Sequence, residues 1–132
     1  MKATKARYLH LQPLARIVDW ATSAVSPEIM GIEPVSAVTK LVKITGIPLS
    51  EIGLFELNEA FASQALAVMQ KLDPERVNVI GGAIALGHPV GSTGAKIITT
   101  LLHEMHTREV RYGVATLCAG GGQGIAMMIE RI

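Results

Sequence analysis

Cysteine, aromatic residues and unbalanced charge are all scarce in this sequence. A single cysteine, Cys118, among 132 residues excludes an internal disulfide and fits a reducing compartment, so a cytoplasmic location is expected. Aromatic residues reach only 4%, leaving any core to aliphatic side chains. Twelve basic and eleven acidic residues give a formal net charge of +1, without the electrostatic footprint of a dedicated nucleic-acid binder. No apolar run reaches the roughly 18 residues of a transmembrane helix, so no membrane partner is expected. The basic start from Met1 to Arg7 is followed by no continuous apolar stretch, which argues against a secretory leader.

Apolar side chains, by contrast, make up 49% of the sequence. That fraction excludes a disordered chain. Area scaling for a compact monomer of this length gives roughly 6,700 Å² exposed when folded against about 20,300 Å² unfolded. One core, and hence one domain, is expected. Glycine is the other surplus: ten of 13 lie between Gly81 and Gly124, suggesting backbone shaped around something.

Residues 1–12 carry Lys2, Lys5, Arg7 and His10 and read as a solvated basic lead-in. Residues 14–25 fit a strand that Ser26-Pro27 ends. Pro34 suits a first helical position, with Val35, Val38, Leu41 and Val42 at helical spacing and Gly46 just past the end. A short strand at 53–57 precedes Asn58, which is placed to cap a helix carrying Phe61, Ala65, Val68, Met69 and Leu72. Residues 77–80 predict a further strand, 92–107 a helix, 112–118 a strand, 119–122 a turn and 123–132 a closing strand. The expected fold is α/β, β-α-β-α-β-α-β-β, with a mixed, mostly parallel five-stranded sheet covered by helices and an antiparallel final pair.

The glycine-rich stretch Gly87-His88-Pro89-Val90-Gly91-Ser92-Thr93-Gly94-Ala95-Lys96 fails as a phosphate loop, because the glycine spacing is wrong and Ile97 follows Lys96. Gly120 and Gly122 fail as a dinucleotide fingerprint, since the third position is Ile125. His103-Glu104-Met105-His106 lacks the spacing of a zinc protease helix, and the two histidines read more simply as a polar face near a helix end. No metal site is expected.

Three polar islands survive, each following a predicted strand: Asn58-Glu59, His88 and Cys118. In parallel α/β sheets the carboxyl edge is where sites are built. An imidazole titrates near neutrality, a thiol exchanges protons and a carboxamide holds a water or a carbonyl oxygen. Singly, each has a plainer reading: a buried small hydrophobe for Cys118, a loop residue for His88, a helix cap for Asn58. Their joint occurrence is what suggests chemistry.

Asn58-Glu59-Ala60-Phe61-Ala62, then Gly81 through Gly91 (GGAIALGHPVG), then Cys118-Ala119-Gly120-Gly121-Gly122-Gln123-Gly124 resemble the three signature blocks of the thiolase family's C-terminal domain, in order and spacing. The resemblance runs from about Leu11 to Ile132, leaving the basic start outside it and a domain at 13–132. It implies one half of a fold in which two similar domains pack as an αβαβα sandwich. It also implies acyl transfer between acyl-CoA and CoA, by cleavage or Claisen condensation of 3-oxoacyl-CoA, with no cofactor beyond the coenzyme A thioester substrate.

By the same resemblance, His88 corresponds to the base of the nucleophilic cysteine and Cys118 to the acid/base at the substrate α-carbon. Asn58 corresponds to the asparagine that orients a water in an oxyanion hole, and Gly120 to a backbone donor of a second one. A thiolase also has an N-terminal domain bearing the nucleophile and a loop domain bearing much of the CoA site. Neither is represented here, and the one cysteine matches the acid/base position, so no nucleophile remains. The implied partner is therefore an N-terminal thiolase half, within a homo- or hetero-oligomer. The contrasting reading is a non-catalytic scaffold module derived from a thiolase. A β-ketoacyl synthase relative shares the fold but does not explain the block at Cys118.

Overall fold

The computed structural model describes residues 1–132. A short helix α1 (Ala3–Tyr8) opens the chain, followed by strand β1 (Ala15–Ala24) and helix α2 (Glu33–Thr45). Strand β2 (Ile52–Leu57), helices α3 (Ala62–Met69), α4 (Ala83–Leu86) and α5 (Thr93–Thr107), and strands β3 (Tyr112–Ala119) and β4 (Gln123–Arg131) complete it. Short 3₁₀ turns occupy Pro27–Ile32, Leu49–Glu51 and Pro74–Arg76.

The sheet has four strands in the order β1-β4-β3-β2, not the five expected. Residues 77–80 do not form a strand: Val77 makes one parallel bridge to Phe55, and the chain then turns at Asn78 with φ 49°. The Asn78 side chain takes over the pairing that a strand would have made. Its Oδ1 accepts from Leu57 N–H at 2.8 Å and its Nδ2 donates to the Leu57 carbonyl at 2.9 Å. The expected predominance of parallel pairing is also corrected. Only β2 and β3 pair in parallel, because β4 returns between β3 and β1 and is antiparallel to both. Strands β1, β2 and β3 nevertheless point the same way, so their carboxyl ends share one edge of the sheet.

Helices α2 and α3 cover one face of the sheet. Ala37, Val38, Leu41 and Val68 pack there on Phe55, Leu57, Tyr112, Val114, Ala126 and Met128. On the other face Ile97, Leu101 and Met105 of α5 pack on Leu54, Ala115 and Ile129. The 97-101-105 spacing presents one helical face, and fully burying side chains such as Leu101 and Met105 contributes about 2 kcal/mol each. α5 sits close because Gly113 lies beneath it: a Cβ there would come within 2.6 Å of the Met105 sulfur. α2 ends as its sequence predicts, with Gly46 at φ 70° donating to the Val42 carbonyl.

Two further expectations are corrected. The basic start is not wholly solvated: it coils into α1 and buries Ala6. Asn58 caps no helix, since α3 begins four residues later at Ala62, with Phe61 in the cap position. The folded chain exposes 7573 Å², more than the roughly 6,700 Å² expected of a compact monomer. Trp20, Phe61, Leu66, Ile84 and Val90 are among the exposed apolar side chains. No helix is long and apolar enough to cross a membrane.

Candidate active site

The site grows from the carboxyl edge of the sheet. Asn58 extends β2 by one residue, donating its N–H to the Thr116 carbonyl of β3 at 3.0 Å. Cys118 stands near the end of β3. Asn58 and Cys118 therefore occupy neighbouring strand ends, and both are buried.

His88 arrives at this edge from the α5 side. It precedes α5 in the chain, and Gly94 in the first turn of that helix lines a small apolar cavity with Leu117 and Ile125. Its Nδ1 lies 2.6 Å from the Thr93 hydroxyl, which donates its one proton to the Pro89 carbonyl at 3.1 Å. With Nδ1 donating to this hydroxyl, Nε2 keeps the free lone pair that a base requires. Lys96 pins the same loop by donating to the Gly87 carbonyl at 2.6 Å. The imidazole is exposed.

Cys118 shares its face with Val114, on the α2 side of the sheet. Thiol and imidazole thus reach the rim from opposite faces, and no hydrogen bond joins them. Burial pushes the thiol's pKa up; a backbone hydrogen bond opposes this, and the charge of Glu33 adds to the rise. A buried thiol of raised pKa holds its proton, as an acid must before it donates.

The sequence marked Glu59 only as a neighbour of Asn58 and gave no role to the groups that hold this edge together. Glu59 accepts from Asn78 Nδ2 at 2.9 Å and from the Ile84 N–H at 2.8 Å, tying the end of β2 to the glycine-rich segment that leads to His88. A Cβ on Gly82 would overlap the Glu59 carboxyl group. Glu56, two residues before Asn58, is buried on the α5 face. Its pKa is pushed up to about 7, first by burial, then by the charges of Glu104 and Glu59, against the opposing pull of Lys96. Glu33 is wholly buried, and burial raises its pKa against the lowering effect of the Ser23 hydrogen bond. The only available signal for Glu56 was a charge inside the short apolar strand expected at 53–57. Glu59 stood in the polar island with Asn58 but was given no role, and for Glu33 there was no signal.

Three buried side-chain atoms have no hydrogen-bond partner: Glu33 Oε2, Asn58 Oδ1 and Gln64 Nε2. All three lie at this one edge. Gln64 is in the first turn of α3, its Oε1 accepting from the Ala60 N–H at 3.2 Å. Buried polar groups are almost always satisfied, so three orphans together mark an edge prepared for polar partners.

Of the glycines after Cys118, Gly120 and Gly121 both leave open space, with nothing within 4 Å of the Cβ position, and Gly121 alone of the two has a positive φ, 82°. The Gly120 N–H makes no main-chain hydrogen bond. Gly122 is required by the turn itself, with φ 81° and a Cβ position that would overlap the Val25 carbonyl. The His103–His106 segment is engaged elsewhere: His106 Nε2 lies 2.9 Å from the Leu14 carbonyl, and Glu104 pairs with Arg108 at 2.9 Å.

Residues 11–131 match the family described as Thiolase, C-terminal domain. The chain belongs to this family. Acetyl-CoA acetyltransferase of Escherichia coli (strain K12) is 54% identical over 134 aligned positions, covering 100% of this chain and 34% of that protein. 3-Ketoacyl-CoA thiolase of Bacillus subtilis (strain 168) is 52% identical, covering 98% of this chain and 34% of its own length. Among solved structures, the Bacillus anthracis acetyl-CoA acetyltransferase superposes with TM-score 0.95 at 47% identity, over 100% of this chain and 34% of that one. Human mitochondrial 3-ketoacyl-CoA thiolase gives TM-score 0.95 at 45% identity, over 99% and 34%. This thiolase domain thus spans about a third of the length of the relatives it matches. The alignment to the E. coli protein also takes in the basic first residues.

Proposed function

We propose that this thiolase domain supplies the proton-handling half of an acyl-transfer site, acting on 3-oxoacyl-CoA and CoA in either direction. The observation that carries the reading is the buried Asn58 Oδ1, an acceptor with no donor, one strand from the chain's only thiol. An acceptor in that position takes one proton of a water, whose second proton then points at a thioester oxygen as negative charge develops there. The open Gly120 N–H is a second donor of the same kind. Cys118 moves the proton at the substrate α-carbon, and His88, through its free Nε2, deprotonates a nucleophilic thiol supplied by an N-terminal thiolase half. No metal or redox group is needed for these steps.

Because Cys118 is the only cysteine, this chain by itself has no thiol left to form an acyl-enzyme, and it is inactive alone. The same shortage favours a second reading, a scaffold module without turnover. One experiment separates them. The chain is mixed or co-expressed with the N-terminal two-thirds of the E. coli acetyl-CoA acetyltransferase, and thiolysis of acetoacetyl-CoA is followed. Turnover by the complex but by neither part alone is expected. Turnover by this chain alone would reject the inactivity, and a stable complex without turnover would reject the catalytic reading in favour of the scaffold.

A further inference from the structure

Ser23, Gly124 and Cys118 form a row across three strands. Ser23 of β1 pairs with Gly124 of β4, and Gly124 pairs with Cys118 of β3. All three belong to the sheet face that packs on α2, since Ala21, Ala126 and Val114 of the same alternation lie in that core. Gly124 contributes no side chain to the row, and Glu33 fills its place from above. A Cβ built on Gly124 would fall far inside contact distance of Glu33 Oε2. The other carboxylate oxygen accepts a hydrogen bond from the Ser23 hydroxyl. Directly opposed residues of an antiparallel pair hold their Cβ atoms about 5 Å apart. Glu33 Oε2, standing where the Gly124 Cβ would be, is therefore at roughly that distance from the Cys118 Cβ, unpartnered and wholly buried.

We propose that Glu33 is the positioning residue of Cys118: anchored by Ser23 and seated in the space Gly124 leaves, its free carboxylate oxygen sets when the thiol gives up its proton. On β2, Glu56 lies on the opposite, α5 face of the sheet, where the charges of Glu104, Glu59 and Lys96 act on it. Glu59 beyond it is bound to Asn78 and the Ile84 N–H. No other charged group competes for this role. α3 carries no charged residue, and β3 none. On β1 the charged residues are Arg16, paired with Glu130 at the far end of the sheet, and Asp19, whose Oδ1 accepts from the Trp20 N–H. On β4 Glu130 and Arg131 lie at that same far end. On α2 Lys40 reaches out to the Thr22 carbonyl at 2.9 Å and Lys43 lies in the last turn. Glu28, in the preceding 3₁₀ turn, bonds Ser26. Glu33 is the one charge that acts on the Cys118 thiol. A negative neighbour favours the neutral thiol, which suits a group that must begin one half-reaction as an acid.

The functional meaning rests on the proposed role of Cys118, but the test does not. Cysteine labelled with carbon-13 at Cβ gives a single resonance in this chain, and its pH profile reports ionisation of Cys118 alone. In Glu33→Gln, which keeps the volume and removes the charge, the midpoint is expected to move below that of wild type. An unchanged midpoint in a folded variant overturns the proposal. Should Glu33→Gln fail to fold, the wild-type chain still decides. The labelled Glu33 carboxyl resonance must show a second inflection at the Cys118 midpoint, and a single inflection rejects the coupling. An uncoupled titration in a chain that still complements the N-terminal part rejects Glu33 while sparing the catalytic reading. A coupled titration in a chain that never complements does the reverse.

Discussion

At one end of the sheet, Glu130 receives two guanidinium groups, Arg16 at 2.5 Å and Arg111 at 2.9 Å. At the other end, Glu33 receives one hydroxyl and leaves an oxygen bare. Hydrogen bonds from Arg16 and then Arg111 hold the Glu130 carboxyl below its ordinary range, whereas burial lifts that of Glu33. The far end satisfies its charge. The near end keeps three buried polar side-chain atoms with no hydrogen-bond partner within the chain, and the same end carries Asn58, Cys118 and Gly120. A fold under selection for stability alone would fill such positions with apolar side chains. The difference separates the part of this thiolase domain that holds the sheet from the part to which the proposed function assigns the reaction.

Six substitutions break or sharpen that comparison. The largest effect is expected from His88→Ala and Cys118→Ala in the complex with an N-terminal half: thiolysis falls at least about 100-fold, while His88→Ala, at an exposed position, leaves the melting temperature of the chain unchanged. An equal loss of stability and activity in His88→Ala would place this residue with the structural end instead.

Glu56 comes next. Its carboxyl binds a proton up to about pH 7 in the folded chain but only to about pH 4.5 when unfolded, so the folded state holds the extra proton between these values. Stability is therefore fully present below about pH 4.5 and declines as pH rises through 7. Glu56→Gln removes that decline and stabilises the chain at pH 8 by about 3 kcal/mol, from the linkage of proton binding to folding. Urea titrations of both chains at several pH values measure it, and a wild-type stability that does not fall across this range contradicts the shift.

Gly124→Ala is expected to cost about 1–3 kcal/mol, because its methyl group must displace the Glu33 carboxylate. Gly120→Ala, where nothing lies within 4 Å, leaves thermal stability unchanged. Equal melting temperatures for the two variants would remove the close approach on which the Glu33 geometry depends.

The smallest effect belongs to the satisfied end. The Glu130 carboxyl is held low by its arginines, so its contribution is present above the unfolded value and lost as pH falls through the folded one. Glu130→Gln flattens the acid limb of the melting profile and leaves stability above pH 7 slightly reduced. An acid limb as steep as that of wild type would assign the loss to other carboxyls.

Much of the scaffold follows from local pattern. The 97-101-105 spacing of α5, the Gly46 cap of α2 and the glycine turn between β3 and β4 are each encoded within a few residues, because helical period and left-handed turns depend on near neighbours. The strand expected at 77–80 failed for the opposite reason. Its apolar content is real, but Asn78 satisfies Leu57 with a side chain in place of a backbone ladder, and no local pattern announces such a substitution. Asn58 fits a helix cap by composition, yet β2 runs on to include its N–H, which leaves Oδ1 buried and free.

The sequence by itself determined helices α2, α3 and α5, the closing hairpin, the shortage of thiols and the three blocks by which the thiolase family is known, all of them properties of residues close together in the chain. Only the tertiary structure decided which polar atoms remain without partners. Ser23, Glu33, Cys118 and Gly124 are scattered along the chain, and their proximity depends on β4 returning between β3 and β1 and on α2 closing over the row. Whether a buried oxygen is satisfied is a question of what stands beside it in space, and that is settled only when the sheet has formed.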